Sequence, residues 1–300
     1  MNLLILIVTT LLLFVGESSL LAQVLDEPAT KIAITIESKV SLTSTDTFLY
    51  EYTIRSGTLS QQEVRTFAVK LDTSTIAETI ITPAGWTNVS NTFGGKGLLR
   101  WSATKSARIR PGGATTGFTI VSRNLPDIQD SLTRGFVPMP AVVFVDEITP
   151  KPRDFEQDSI HIPTIAPSTV LFGGTIDVAI FRLISLKHQS VTIGWLRGDE
   201  FIKKLDKKLD QAKKALVENK PFKARKKLEQ FIKALEQQRK EQQKRQHEAS
   251  EKGREERAEH SKDDKRFIND NAFFLLKVNA EFIISKLPAK ERGEDKDDDE

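Results

Sequence analysis

The chain has 300 residues, 39% hydrophobic and 28% charged, a composition typical of globular proteins rather than of membrane-embedded or wholly disordered ones. Its net charge of +3 is too small over this length to indicate nucleic-acid binding, so only local clusters of charge can matter. The absence of cysteine excludes disulfides, thiol nucleophiles and cysteine-ligated zinc. The length predicts two domains.

Residues 1–22 have the pattern of a signal peptide. An uncharged apolar run covers residues 3–15, shorter than the roughly 20 residues that span a bilayer, and cleavage is expected after Ala22. No Lys or Arg precedes this run, and Leu20 is bulky for its place before the cleavage point, so an uncleaved N-terminal anchor stays open as the alternative. We expect a secreted, periplasmic or cell-surface protein that meets a membrane only through such an uncleaved segment.

Residues 23–165 show the alternation of apolar and polar residues that is typical of strands with one buried face. Candidate strands lie at 32–36, 48–54, 64–71, 98–101, 118–121 and 141–145. The turn Arg110-Pro111-Gly112-Gly113 has the residues of a tight connection between two strands. This part of the chain therefore predicts an antiparallel β-sandwich.

A Pro- and Gly-containing stretch at residues 163–174 marks a change to helical periodicity, and we place a linker with one helix at 166–198. Two apolar stripes then predict a helical hairpin, and a third predicts one more helix before Pro288. The stripes are Phe201, Leu205, Leu209, Ala212 and Leu216; Ala224, Leu228, Phe231 and Leu235; and Ala272, Leu276, Ala280, Ile283 and Leu287. We expect Asp199 to cap the first helix and Pro221 to open the second.

Residues 239–266 are charged and nearly free of apolar side chains, which indicates either a solvated helical extension or disorder. Residues 289–300 form an acidic tail that we expect to be disordered. The helical module thus covers 199–288. Because each part has its own apolar pattern, we expect the sandwich and the helices to fold independently.

The helical part resembles the FIMAH-like module that ends many exported bacterial proteins. The likeness rests on residues 194–196 (GWL), 202–216 (IKKLDKKLDQAKKAL), 223–238 (KARKKLEQFIKALEQQ) and 272–287 (AFFLLKVNAEFIISKL). These are packing residues, so the resemblance implies a fold and says little about activity. The sandwich resembles, more loosely, the Ig-like domains that precede such modules, and together the two imply a segregated α+β protein.

Motifs with chemical meaning are few. The glycines of GGATTG (residues 112–117) have P-loop spacing, but Phe118 and Thr119 replace the Lys and Ser/Thr, which favours a turn. HEASE (residues 247–251) has Glu251 where a zinc-binding helix needs its second His. Trp86 and Trp101 are either sugar-stacking platforms or core residues, and the core interpretation is favoured. We therefore expect no cofactor, no metal and no catalytic residue.

A cluster of cations surrounds the Asn219-Lys220-Pro221 corner of the hairpin, with Lys220, Lys223, Arg225, Lys226 and Lys227 as candidate contacts for a polyanion. Either it is the solvated face of a helical bundle, or it holds an acidic glycan, a lipid headgroup or another acidic polymer. Missing aromatic residues among the charges argue against nucleic acid. The sequence thus predicts a non-enzymatic exported protein for adhesion or interaction; the alternative is a carbohydrate-binding accessory protein or enzyme that uses loops of the sandwich.

Overall fold

The computed structural model describes residues 30–44, 46–72, 77–91, 96–137, 155–168, 175–251 and 266–289. The strands are β1 (Ile34–Ser44), β2 (Thr47–Ser56), β3 (Val64–Asp72), β4 (Ala77–Ile81), β5 (Trp86–Asn91), β6 (Lys96–Ala103), β7 (Ala114–Ser122), β8 (Pro126–Gly135), β9 (Ile160–Pro167), β10 (Leu196–Arg197) and β11 (Phe267–Ile268). The helices are α1 (Ile176–Thr192), α2 (Asp199–Val217), α3 (Pro221–Glu251) and α4 (Asp270–Ser285), with a 3-10 turn at Lys105–Ala107.

Two antiparallel sheets form the N-terminal half. One has the strand order β1-β2-β7-β4 and the other β5-β6-β3-β8-β9. Aromatic side chains from both sheets meet between them: the Phe67 ring of β3 lies 5.4 Å from the Phe118 ring of β7 and is stacked on Trp101 at 5.4 Å. These rings are fully buried, so the two sheets share one core. The predicted β-sandwich is confirmed, as is the segregation of strands and helices.

The sequence patterns missed four strands of the sandwich, β4, β5, β8 and β9, and the last of them shifts the start of the linker. Residues 163–167, which we had counted in the Pro/Gly-containing stretch, form the end of β9. Pro163 pairs in register with Asp130, and Pro167 with Pro126. Proline is tolerated here because β9 lies at the edge of its sheet, where one side of the strand makes no ladder hydrogen bonds. The predicted strand at 141–145 lies outside the described residues.

The hairpin of α2 and α3 turns at Asn219, which has a positive φ of 53°. The Lys220 N–H donates to the Ala215 carbonyl at 2.8 Å and the Asn219 N–H to Leu216 at 2.9 Å, the two bonds of a Schellman motif. Pro221 then opens α3, as predicted. The cap of α2 differs from the expectation: Gly198 precedes the helix at φ 102°, and Asp199 is its first residue. Backbone conformation, rather than a side-chain cap, therefore begins α2.

Helix α4 is buried on nearly every side because it lies between the sandwich and the other helices. Ten of its residues are buried, whereas its sequence stripe indicated a single buried face. Its Phe282 ring lies 5.7 Å from the Phe48 ring of β2, and its other side packs on α1 and α3. Apart from an edge with Lys277 and Glu281, the helix is apolar around most of its surface, as is typical of an interior helix, and it supplies core to both halves.

Buried polar groups fix α4 against the sandwich. The Asn271 Oδ1 accepts from both the N–H and the hydroxyl of Ser38 in β1, each at 3.0 Å. The Ser38 Oγ in turn accepts from the Thr164 hydroxyl and the Ile165 N–H of β9, both at 3.1 Å. Ser38 thus joins β1, β9 and α4 in one satisfied network. Such a network restricts the register of the helix because any shift leaves buried polar groups unpaired.

This interface weighs against the expectation that the two halves fold independently. Separating them would expose the apolar face of α4 and leave the Ser38 network without its Asn271 partner. Of the other expectations, the signal peptide (1–22), most of the charged segment beyond Glu251 and nearly all of the acidic tail lie outside the described residues. Residues 239–251 continue α3 as a helix. In the part of the chain that the structure describes, no helix has the length and apolar character needed to cross a bilayer.

Candidate functional site: the basic seam of the helical hairpin

The five predicted polyanion contacts separate into two groups. Arg225 lies towards α4, where its Nη1 donates to the carbonyls of Ile284 at 3.2 Å and Leu287 at 3.1 Å. It therefore satisfies carbonyls left open at the C-terminal end of α4. Lys220 forms an ion pair with Glu218 at 2.9 Å, and this hydrogen bond, with the nearby lysine charges, lowers the pKa of the Glu218 carboxyl. Both cations have structural partners within the protein.

Lys223, Lys226 and Lys227 remain available. The Lys226 ammonium lies 4.4 Å from the centre of the Phe222 ring, an exposed cation–π contact of small energy. Lys223 and Lys227 form no ion pair with any described residue. Both stand on the side of α3 that faces α2: Lys227 is three residues and Lys223 seven residues before Gln230, which places all three on one helix face.

That face meets a matching one on α2. The Lys208 ammonium donates to the Gln230 amide oxygen at 2.8 Å, which sets the antiparallel register of the two helices. Lys204 is one turn before Lys208 and lines a cavity together with Ala234 and Gln237 of α3. We call this line of side chains the basic seam; its members are Lys204, Lys208, Gln211, Lys223, Lys227, Gln230 and Gln237. At 1.5 Å per residue it extends over about 20 Å.

Three acids of the hairpin pair with cations outside the seam, whereas Glu218 lies at its corner end and Glu200 and Glu241 lie beside Lys204 at its other end. Glu236 accepts from the Lys277 ammonium of α4 at 2.7 Å, and Glu229 pairs with Arg225 at 3.0 Å. Asp206 pairs with the buried Lys187 of α1. The hydrogen bond that Lys277 donates to Glu236 is the main cause that raises the pKa of Lys277. Because cations outside the seam occupy Glu236, Glu229 and Asp206, the middle of the seam keeps the positive charge that an even mixture of acids and bases would cancel.

One side chain of the basic seam, Gln211, has a buried oxygen without a hydrogen-bond partner among the described residues. The Gln211 amide oxygen is buried and accepts no hydrogen bond from any group in the described ranges. Its helix position, one turn after Lys208 towards the corner, places it opposite Lys227.

Sequence reasoning found the cationic corner and missed Lys204 and Lys208 as members of the same site. Both lysines stand off the apolar stripe of α2, but a stripe does not reveal which flank of the helix faces the partner helix. The spacing of Lys204, Lys208 and Gln211, three to four residues apart, was the available signal. Only the hairpin register joins them to Lys223 and Lys227.

The other candidate features are structural. Trp86 is 6% exposed and Trp101 fully buried, which confirms the core interpretation and removes them as sugar-stacking platforms. GGATTG forms a turn, with Gly112 at φ 79°, and enters β7 rather than a helix. His247 lies on the exposed part of α3. Among the described residues, no three His, Asp or Glu side chains are grouped so that they could hold a metal ion.

Residues 183–256 match the FIMAH domain. The chain therefore carries a FIMAH-like helical module behind its β-sandwich. The match begins within α1, covers the hairpin and ends before α4, so the helix that joins the two halves lies outside it. The comparison with curated proteins found no match.

Two solved structures are similar to part of the chain. A cohesin module from a family 33 glycoside hydrolase of Clostridium perfringens is 12% identical and covers 36% of this chain and 90% of its own, with a TM-score of 0.25. An uncharacterised protein from Nocardia farcinica with an immunoglobulin-like fold is 12% identical and covers 43% of this chain and 96% of its own, also with a TM-score of 0.25. Scores this low carry no argument about function. The β-sandwich is shown by the strand order of its two sheets.

Proposed function

We propose that this chain is a non-enzymatic exported interaction protein whose helical module binds an acidic polymer, an acidic glycan of a cell surface or its surroundings, along the basic seam. The sandwich and α4 form the rigid base that carries the hairpin. The FIMAH match supports the module assignment, and export rests on the signal-peptide pattern of residues 1–22.

The observation that carries this proposal is the distribution of partners around the hairpin. Lys204, Lys208, Lys223 and Lys227 form no ion pair among the described residues, while Glu229, Glu236 and Asp206 are engaged by other cations. A merely solvated helix face usually mixes both signs of charge, with acids and bases paired along it. Between its two ends, where Glu218 and the acids Glu200 and Glu241 lie, the seam instead presents only positive and neutral side chains.

The shape of the seam favours a polymer over a small anion. Its cations lie on flexible stems spread over about 20 Å, so no single site collects the several donors that a tight anion site needs. A chain with repeated negative groups can meet each ammonium in turn and gain affinity from many weak contacts. Binding of this kind is moderate in strength and sensitive to salt.

The experiment compares two fourfold variants of the whole chain for binding to polygalacturonate at low salt. The first replaces Lys204, Lys208, Lys223 and Lys227 by Gln. The matched control replaces Lys39, Arg65, Lys70 and Lys105 of the sandwich by Gln, which removes the same total charge. We expect the seam variant to bind at least about tenfold more weakly and the control to stay within about twofold, since loss of each exposed charge contact costs up to about 1 kcal/mol. Equal effects of the two variants would reduce the interaction to net charge, and no binding by the unaltered chain would refute the proposal.

A further inference from the structure

A cavity of about 240 Å³ lies at the end of the basic seam farthest from the Asn219 corner. It opens between the first turn of α2, the middle of α3 and the residue that leads into β11. Phe201 and Ala234, both nearly buried, form its apolar part. Ligand sites for drug-sized molecules begin at roughly 300 Å³, so this cavity has room for one small unit, such as a single sugar ring.

The polar lining combines both signs of charge with neutral amides. Its groups are Lys204, Arg266, Glu200, Glu241, Gln237 and Gln238. Arg266 is paired with Glu200, whereas the Lys204 ammonium forms no ion pair among the described residues. The side-chain NH₂ group of Gln237 donates to Glu241 at 3.0 Å and so orients that carboxylate. The side-chain amide oxygen of Gln237 is left to accept a hydrogen bond from a ligand. The cavity therefore offers one cation without an ionic partner beside several hydrogen-bond acceptors.

The wall of the cavity is held in place before any ligand arrives. The Gln238 amide donates to the Arg266 carbonyl at 3.3 Å, and the Gln242 amide oxygen accepts from the Ile268 N–H at 3.1 Å. Two amides of α3 thus fix the strand β11, which pairs with β10 beside the start of α2. A preformed site loses less conformational entropy on binding.

From this lining we propose that the cavity binds one sugar unit that carries both a carboxylate and free hydroxyls, as a uronic acid does. This deepens the proposed function and rests on it: the seam holds the polymer by charge, and the cavity selects its chemical class. The sugar carboxylate pairs with Lys204, and sugar hydroxyls donate to Glu241 and the Gln237 carbonyl. The ring lies against Phe201, whose burial leaves only a small apolar edge for it.

The same lining disfavours polyanions without hydroxyl donors. A polyphosphate chain in the cavity would place its negative groups beside the carboxylates of Glu200 and Glu241 and would offer them nothing to accept. The seam alone does not make this distinction, because ammonium groups bind phosphate and carboxylate alike. A preference for a uronic-acid polymer over polyphosphate would therefore indicate binding in the cavity, because the seam alone does not distinguish the two.

The test measures binding of an oligogalacturonate and of a polyphosphate with the same number of charges to the whole chain. Three proteins are compared: the unaltered chain, Glu241→Gln, and the control Glu229→Gln, which changes a Glu of the same helix that faces Arg225 instead. We expect the unaltered chain and the control to prefer the oligogalacturonate by at least about tenfold. Glu241→Gln should bring the two affinities within about threefold, chiefly by strengthening polyphosphate binding, because it removes one repulsive charge.

The outcomes distinguish the inference from the function on which it rests. Equal affinity of the unaltered chain for both oligomers, or the same change for both in Glu241→Gln, overturns the sugar-selective cavity and leaves the basic seam standing. Failure of both oligomers to bind, or binding that ignores the fourfold seam variant, overturns the proposed function itself. Thermal unfolding of each variant, expected within about 2 °C of the unaltered chain for these exposed sites, confirms that the compared proteins are folded.

Discussion

Helices α2 and α4 are of similar length, yet they bury their residues in different ways. In α2 a single stripe is buried, Phe201, Leu205, Leu209, Ala212 and Ala215, and the rest of the helix carries charge. In α4 ten of sixteen residues are buried, including Asn271 and Asn279. An amphipathic helix keeps one face for solvent or a ligand, whereas a helix that is apolar all round can only join other parts of a core. The hairpin thus keeps an exposed charged face for the proposed binding, whereas α4 packs the two cores together.

The largest effect should follow from removing an aromatic ring of α4. Phe282→Ala should lower the free energy of unfolding by about 3–5 kcal/mol, because it leaves a cavity beside Phe48. Phe231→Ala in the hairpin core should cost a similar amount. Phe181, 54% exposed on α1, provides the matched control, and its replacement by Ala should cost much less. Urea unfolding followed by circular dichroism and by tryptophan fluorescence gives these values.

The same curves test whether the halves are one unit. With Trp195 of the helical part replaced by Phe, the fluorescence of Trp86 and Trp101 reports on the sandwich, while most of the circular dichroism comes from the helices. If α4 joins the two cores, both signals should change in one transition in every variant. Two separate transitions, with Phe282→Ala shifting only the helical one, would restore the expectation of independent folding.

The next effect concerns the polar contact between α4 and β1. Asn271→Ala removes the acceptor for the buried Ser38 N–H and should cost about 1–3 kcal/mol. Asn88→Ala is the matched control, since the exposed Asn88 amide only donates to Thr82 at the surface; it should stay within about 0.5 kcal/mol. Equal losses for the two variants would show that the Ser38 network does not hold α4 in place.

A smaller, pH-dependent effect is expected at Glu281 of α4. Burial is the main cause that raises the pKa of its carboxyl above the ordinary value of 4.5; the Lys277 charge opposes the shift and Glu236 adds to it. A raised folded-state pKa means that stability is lost as the pH rises through the folded pKa and is retained below 4.5. The free energy of unfolding of the unaltered chain, relative to that of Glu281→Gln, should therefore be highest near pH 4 and fall towards pH 7. Denaturant unfolding at several pH values measures this difference, and a gap that is constant or grows in the opposite direction contradicts it.

The smallest effect on stability should come from the seam. Exchanging Lys204, Lys208, Lys223 and Lys227 for Gln should change the free energy of unfolding by about 0.5 kcal/mol or less per site, since these side chains form no ion pair with described residues. A gain in stability is compatible with the seam, because the exchange removes repulsion between like charges. A loss of several kcal/mol would show that these lysines are part of the packing.

Local patterns in the sequence predicted much of the fold. The stripes of α2 and α3 named residues that are all buried or nearly so, because an amphipathic helix records its core face in its spacing. The sequence did not indicate strand β8, where Pro126 breaks the alternation, or strand β9, where Pro163 and Pro167 were interpreted as part of a Pro- and Gly-containing linker stretch. The all-round burial of α4 was hidden for another reason: one of its partners is β1, more than 200 residues earlier in the chain.

The sequence predicted that the candidate site is rich in cations, but it did not predict which group each cation contacts. Excess Lys and Arg around Asn219 indicated a positive surface, yet the partners of each cation depend on neighbouring helices. Arg225 binds backbone carbonyls at the end of α4, and no property of its own segment indicates this. The cavity beside Lys204 includes Arg266 from a different element, so it too needed the tertiary structure.

The most direct test of the division between hairpin and α4 is the salt dependence of polymer binding. For nucleic acids the slope of log affinity against log salt falls by somewhat less than one unit for each charge contact removed, and the same counterion release applies to other polyanions. We predict that the fourfold seam variant reduces this slope on polygalacturonate by roughly two to three units while it keeps its single unfolding transition. An unchanged slope, with or without loss of affinity, would contradict the account, because the basic seam would then not be where the polymer meets the protein.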